Sequence, residues 1–152
     1  MANVTVSEFI AAPVDRVFQA FTDIEHGADK VSGIKEIEIL TTHGFSLGTR
    51  WRETREVLGR LDEAEMEVTA FERNRSYTIT HHKAGVRIDT VFTFEPLAAG
   101  GTRVSIDFGL SPQGLPPGLL SPIEWAMAGK VREVLSHDLA DLKASVEKIA
   151  RT

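Results

Sequence analysis

The C-terminal part of the chain carries the pattern of one long amphipathic helix, and this feature constrains the fold most strongly. Ser121, Pro122 and Glu124 fit an N-cap serine, a proline at the first helical position and the glutamate of a capping box. The apolar residues that follow fall within one arc at 100° per residue. They are Ile123, Met127, Val131, Val134, Leu135, Leu142, Val146 and Ile149. A helix of about thirty residues is roughly 45 Å long, so the rest of the chain must pack along it.

Between residues 34 and 108 the hydrophobic period changes to two, which predicts β-strands. Short turns separate the strands, and this favours an antiparallel meander because parallel pairing needs long crossovers. The strands are predicted over residues 34–39, 48–57, 64–70, 77–81, 86–94 and 104–108. In the third of these, Ala64, Met66, Val68 and Ala70 are predicted to share the buried face.

The N-terminal region predicts one further strand and a short helix. Residues 3–11 alternate as a half-exposed strand, and Pro13 fits the first position of a helix that ends near Thr22. Residues 23–33 are predicted to be irregular or to form a second short helical turn. Residues 109–120 are rich in proline and glycine, so they are predicted to be irregular and to separate the last strand from the long helix.

This order of elements indicates an α+β fold in which a curved antiparallel sheet wraps around the long C-terminal helix. A bent sheet that grips one helix leaves space between them, and the inward faces of the strands are expected to line that space as a pocket. The 152 residues, of which 42% are hydrophobic, are predicted to form a single domain over residues 1–152.

Composition excludes several classes of function. The net charge is −5 and no Lys/Arg-rich block is present, so nucleic-acid binding is not expected. The apolar runs are too short to span a membrane and no leader-like segment begins the chain, so we expect a cytoplasmic protein without integral membrane association. The chain has no cysteine, no phosphate-binding loop and no hydrolase or zinc-peptidase motif, and we therefore predict neither a cofactor nor a metal.

Several short segments, in order and spacing, resemble a known superfamily over nearly the whole chain. They are APVDRVF at 12–18, TDIEH at 22–26, GTRW at 48–51, VTAFE at 68–72, FTFEP at 92–96, GGTRV at 100–104 and DLADLK at 138–143. The chain is similar to the START-like, Bet v 1-like (SRPBCC) superfamily, in its polyketide cyclase/dehydrase and lipid transport branch. This resemblance implies the helix-grip fold, with an internal cavity for a hydrophobic ligand.

The resemblance also draws attention to two residues near the expected pocket mouth. Relatives frequently carry a histidine at the position of His26, which makes His26 a candidate for the mouth, with solvent-exposed capping as the alternative. Relatives often carry a tryptophan where this chain has Lys30, so an aromatic wall is missing there.

The inward face of the predicted strands and helix supplies the expected cavity lining. These residues are Trp51, Glu53, Arg55, Met66, Val68, Tyr77, Ile79, His81, Phe92, Phe94, Ile106, Trp125, Met127 and Val131.

Four of these residues are candidates for chemistry. Glu53 and Arg55 share a strand face with Trp51, so an inward orientation would place an acid and a base in an apolar pocket. A shifted register or a strand end in solvent is the alternative. Tyr77 and His81 carry the same ambiguity, and His81 inside a pocket would suit general acid–base catalysis. Because the adjacent histidine would point to the opposite face of the strand, the two are not expected to share a metal.

Two residues on the long helix are unusual. Asp138 falls inside the apolar arc, which predicts a partly buried carboxylate paired with an arginine or with backbone amides, with a lowered pKa and a structural role. Gly129 lies in mid-helix, where it allows a close backbone approach, allows a kink or has no special role.

Three functional hypotheses follow from these observations. The first is the binding or transport of a small hydrophobic molecule such as a lipid, a polyketide or an aromatic metabolite. The second is a cyclase or dehydratase that uses His81, Tyr77, Glu53 or Arg55 to move protons. The third is an interaction module that self-associates through an apolar patch at residues 115–125, and a homodimer is left open.

Overall fold

The computed structural model describes residues 3–42, 44–57, 59–83, 85–112 and 121–150 of the chain. Within these ranges, the side chains of residues 3, 57, 112, 121–128, 149 and 150 are not described. The predicted capping box, together with Trp125 and Met127, therefore lies outside the described side chains. The proposed apolar patch at residues 115–125 is outside them as well.

Seven strands and three α-helices form in the described residues. The strands are β1 (Asn3–Ile10), β2 (Ile34–Ile39), β3 (Arg50–Val57), β4 (Arg60–Glu72), β5 (Ser76–Lys83), β6 (Val86–Pro96) and β7 (Thr102–Pro112). The helices are α1 (Val14–Thr22), α2 (Gly27–Lys30) and α3 (Ser121–Ala150), with a 3₁₀ turn over Ile24–His26.

The strands form one curved sheet in the order β1-β7-β6-β5-β4-β3-β2, and every neighbouring pair is antiparallel. Only the β1–β7 pair is not formed between consecutive strands, so the predicted meander is confirmed. Together with α3 and the short helices, the sheet has the predicted helix-grip architecture. Among the described residues, no helix is long and apolar enough to cross a membrane.

Helix α1 begins one residue later than predicted. Pro13 remains extended at φ −63° and ψ 153°, so it precedes the helix instead of occupying its first turn. Its carbonyl accepts hydrogen bonds from the amides of Arg16 and Val17, both at 3.1 Å, and these contacts start the first turn.

A bulge in β4 overturns the predicted position of Ala70. Val68 pairs with Ile79, but the next aligned pair is Ala70 with Thr78, so Thr69 is an extra residue on the β4 side. An extra residue reverses the alternation of faces beyond it. Ala70 is therefore exposed, and Phe71 turns inward in its place.

Strand β7 extends further than predicted. Residues 109–112 were expected to be irregular, yet they continue the antiparallel ladder as far as Val86 of β6. The long β6 strand needs hydrogen-bond partners along its whole length, and the β7 extension supplies them. Pro112 lies at the last position of the strand, where a missing amide hydrogen is tolerated.

The core is filled unevenly along the sheet. At the end covered by α1, rings pack edge to face, with Phe18 against Phe94 at a centroid distance of 5.1 Å and Phe21 against Phe94 at 5.3 Å. The C-terminal half of α3 is held to the β1 region by a hydrogen bond of 2.9 Å from the amide of Ala11 to Glu147. The cavity adjoins the cluster of rings, because Phe21 also lines it.

Candidate ligand cavity

A cavity of about 210 Å³ lies between the sheet, the short helices and α3. Its wall is mainly apolar and comes from helices and strands that are distant in sequence. Nine of the predicted lining residues lie on it. These are Trp51, Glu53, Arg55, Met66, Tyr77, Ile79, His81, Phe92 and Ile106.

Three other predicted lining residues lie elsewhere. Val68 and Phe94 are buried in the core, and Val131 is half-buried against that core. Alternation assigned Val68 and Phe94 to the inward face, but it does not show how far along a strand the cavity extends. The aromatic cluster around Phe18 fills the space in front of Phe94.

The sequence-based reasoning missed lining residues from the short helices, β2 and α3. They include Phe21, Ile24, Lys30, Ile34, Ile37 and Leu142. Asp138 also lines the cavity, although its predicted role was structural only. The alternation of Ile37 and Ile39 in β2 and the helical spacing of Leu142 were the signals available for this wall.

Arg55 joins two buried carboxylates at the cavity wall. Its Nε donates to Glu53 at 2.7 Å, and its two terminal nitrogens donate to Asp138 at 2.8 Å and 3.2 Å. The indole nitrogen of Trp51 donates to the second oxygen of Glu53 at 3.4 Å. Glu53 is only 8% exposed, so β3 presents this face inward and the alternative of a shifted register is excluded.

The pairing of Asp138 with an arginine is as predicted, but the predicted direction of its pKa is wrong. Burial raises the pKa of Asp138, and repulsion from Glu53 and Asp141 adds to this effect. Arg55 acts in the opposite direction without reversing the shift. For Arg55, burial opposes the charged form, but Glu53 and Asp138 together raise the pKa above its usual value. The guanidinium therefore stays charged.

His81 lines the cavity and carries a buried polar atom without a partner in the described part of the chain. Its Nδ1 is buried and has no hydrogen-bond partner among the described residues. Burial lowers the pKa of His81, although the negative charge of Glu53 opposes this shift. His81 is therefore a neutral imidazole near neutral pH, and a buried nitrogen without a partner is a natural contact for a bound molecule.

Tyr77 is positioned as a wall residue more than as a proton donor or base. It is 1% exposed and stacks on Phe92 at a centroid distance of 4.7 Å. Its hydroxyl donates to the carbonyl of Phe21 at 3.4 Å. Burial raises the pKa of Tyr77, so its phenol remains protonated over the physiological range.

A second polar group lies at another part of the wall. Lys30 donates to Asp23 at 3.1 Å and to the carbonyl of Ala20 at 3.2 Å. His26 contacts the same carboxylate at 2.9 Å, but it is exposed and does not line the cavity. Of the two positions expected for His26, the cavity mouth and the solvent-exposed surface, the structure has the exposed one. Burial alone would raise the pKa of Asp23, but the hydrogen bonds from His26 and Lys30 lower it.

An external cleft of about 260 Å³ lies on the far side of the Arg55–Asp138 pair. Arg55, Val134 and Asp138 line both this cleft and the cavity, so the ion pair lies between the two spaces. A Cβ added at Gly33 would lie 3.3 Å from Nη1 of Arg55, which shows how closely the backbone approaches the pair. Around Gly129, in contrast, a Cβ would meet no atom within 4 Å, so this glycine makes no close approach.

Metal binding finds no support in the part of the chain that the structure describes. No group of three or more His, Cys, Asp or Glu residues there could hold an ion.

The family model for polyketide cyclase/dehydrase and lipid transport matches residues 1–147. The chain belongs to this family. A comparison with curated protein sequences finds no significant match.

Solved structures agree with the family on the fold. A START superfamily protein from Mycobacterium smegmatis aligns with a TM-score of 0.76 at 20% identity, covering 97% of this chain and 98% of the other. The ZhuI aromatase/cyclase from Streptomyces sp. R1128 aligns with a TM-score of 0.77 at 20% identity, covering 99% of this chain and 96% of the other. A protein from Thermus thermophilus aligns with a TM-score of 0.77 at 19% identity, covering 97% of this chain and 99% of the other. At these identities the likeness establishes a shared fold.

Replacing Arg55 by methionine is expected to destabilise this family member by about 3–5 kcal/mol, because two buried carboxylates lose their cation. Urea denaturation at neutral pH measures the change. Arg52→Met is the control on the opposite, exposed face of β3, where Arg52 pairs with Glu38 and Glu63. Its cost is expected to stay below about 1 kcal/mol. Equal losses in the two variants would show that the buried pairing is unimportant.

The lowered pKa of His81 predicts a specific pH dependence of stability. The His81 imidazole binds a proton more readily in the unfolded state than in the folded state. Stability is therefore lost as pH falls below the pKa of about 6.5 that histidine has in the unfolded chain, with a slope of at most ~1.4 kcal/mol per pH unit. The loss of stability stops once the pH is below the pKa of His81 in the folded protein. Denaturation between pH 7.5 and pH 5.5 should show a smaller loss in His81→Gln than in the wild type. His82→Gln, the exposed neighbour, should behave as the wild type.

Proposed function

We propose that this protein binds or carries a small molecule with an apolar body and one polar group. The observation that carries this proposal is an apolar cavity lined in part by His81, whose buried Nδ1 has no hydrogen-bond partner among the described residues. Apolar pockets with a few placed polar groups are the usual form of small-molecule sites. The family's link to lipid transport supports the same proposal.

The size of the cavity limits the ligand. Drug-sized molecules usually occupy about 300–1,000 Å³, whereas an engineered cavity of about 150 Å³ holds benzene. A space of about 210 Å³ therefore suits a molecule of one or two rings or a short acyl chain. A long-chain lipid would need the cavity to open, for instance toward the external cleft beyond Arg55.

Native mass spectrometry of gently purified protein, compared with its denatured mass, is the first test. A retained small molecule, or saturable binding of naphthalene to the emptied protein, is the expected result. Ile79→Trp fills the cavity and is expected to abolish naphthalene binding, whereas Leu61→Trp adds the same ring to a residue that is 72% exposed and should bind normally. Wild-type protein that binds neither an endogenous molecule nor naphthalene would contradict the proposal.

A second candidate function is a cyclase or dehydratase reaction on a polyketide-like chain. The neutral His81 in the cavity wall favours it, because such an imidazole can remove a proton from a carbon between two carbonyls. The resulting enolate would attack a second carbonyl, and loss of water would follow from the aldol product. The structural likeness to an aromatase/cyclase is compatible with this candidate.

His81→Ala distinguishes the two functions. If the protein is an enzyme, this variant is expected to lose at least about 100-fold in turnover of a poly-β-ketone thioester while retaining binding, because general bases contribute roughly 10²–10⁴-fold. Product formation is followed by liquid chromatography, with His82→Ala as the matched control. Turnover that is unchanged in His81→Ala would remove the catalytic role of this histidine.

Self-association remains a third proposal. Residues 115–125, which would form the apolar patch, lie outside the described side chains. Light scattering that shows a monomer at high concentration would argue against it.

A further inference from the structure

The charged residues of the cavity wall limit which charge a bound ligand can carry. This point rests on the proposed binding function and deepens it. Five charged residues of the described chain line the cavity: Asp23, Lys30, Glu53, Arg55 and Asp138. Three are acidic and two are basic, so the wall carries an excess of one negative charge when His81 is neutral.

Both cations already hold carboxylates of the chain itself. Arg55 already donates from Nε to Glu53 and from both terminal nitrogens to Asp138. A ligand carboxylate at Arg55 would become the third anion around one guanidinium, in a site where only 24% of the arginine side chain is exposed. Water would screen the repulsion poorly there.

Lys30 is committed in a similar way. Its ammonium group contacts the Asp23 carboxylate and the carbonyl of Ala20, and only 17% of its side chain is exposed. An incoming carboxylate would have to compete with Asp23 for this cation. His81 also lines the cavity, and its Nδ1 is buried without a hydrogen-bond partner among the described residues, so this neutral imidazole suits a neutral hydroxyl better than a carboxylate.

We infer that the cavity accepts a neutral, hydroxylated ligand and rejects a carboxylate of the same size. Glu53 and Asp138 set this selectivity by occupying Arg55. The preferred class is therefore a phenol or an alcohol with an apolar body. Free fatty acids and aromatic acids are disfavoured by charge as well as, for the long chains, by size.

Three probes of one shape test the inference, namely naphthalene, 2-naphthol and 2-naphthoate, titrated at neutral pH and followed by calorimetry. The expected result is at least tenfold tighter binding of 2-naphthol than of 2-naphthoate. Equal or tighter binding of 2-naphthoate, with naphthalene still bound, would overturn the inference and leave the proposed binding function intact. Failure of all three probes to bind, in protein that also retains no endogenous molecule, would remove the proposed function, and the inference with it.

Two variants test the cause of the selectivity. Asp138→Asn and Glu53→Gln each free donors of Arg55 and remove one negative charge, so each should shift the naphthol-to-naphthoate preference at least tenfold toward naphthoate. Glu67→Gln makes the same charge change on an exposed residue of β4 and should keep the wild-type preference. An unchanged preference in a folded Asp138→Asn or Glu53→Gln protein would overturn the assignment to these carboxylates. If neither variant folds, the wild-type comparison alone decides the inference.

Discussion

The ion pair between Arg55 and Asp138 joins the two parts of the molecule that enclose the cavity. Arg55 comes from β3 and Asp138 from α3, and these residues lie 83 positions apart in the sequence. Their pairing holds the helix against the sheet beside the cavity. A buried arginine satisfies its charge only with carboxylates in a fixed geometry, so the position of β3 relative to α3 follows from this contact.

The cavity results from how unevenly the sheet is filled. Rings from α1 and the strands pack around Phe18, which contacts Phe71, Tyr77 and Phe94, and Tyr77 extends this packing to one end of the cavity. At the other end, the inward positions of β3 and β5 carry Glu53, Arg55 and His81, which cannot pack as densely as aliphatic side chains without leaving charges unsatisfied. Polar residues at core positions therefore keep this space open and also give it its chemical character.

Much of this arrangement could be predicted from the sequence. The alternation in β3 correctly placed Trp51, Glu53 and Arg55 on one face, and of the two kinds of partner predicted for Asp138, an arginine or backbone amides, the structure has the arginine. The bulge at Thr69 was missed, because its one mark on the period-two pattern is Phe71, out of phase with Val68 near the end of the strand, and the partner strand is needed to tell a bulge from an exposed ring. The raised pKa of Asp138 was missed for a related reason, since pairing was visible in the sequence but the depth of burial was not.

The buried Glu53–Arg55–Asp138 group is not the arrangement that stability alone would favour. Replacing such a group with packed apolar residues is often neutral or stabilising, because each buried ion loses its hydration. In this chain the group lies at the wall of the cavity, beside a histidine whose Nδ1 has no partner among the described residues. The fold itself hosts many functions. Charges kept at a cavity wall, where they oppose dense packing, are what the proposed binding function would explain, because a ligand that must be selected by charge needs charged residues in contact with it.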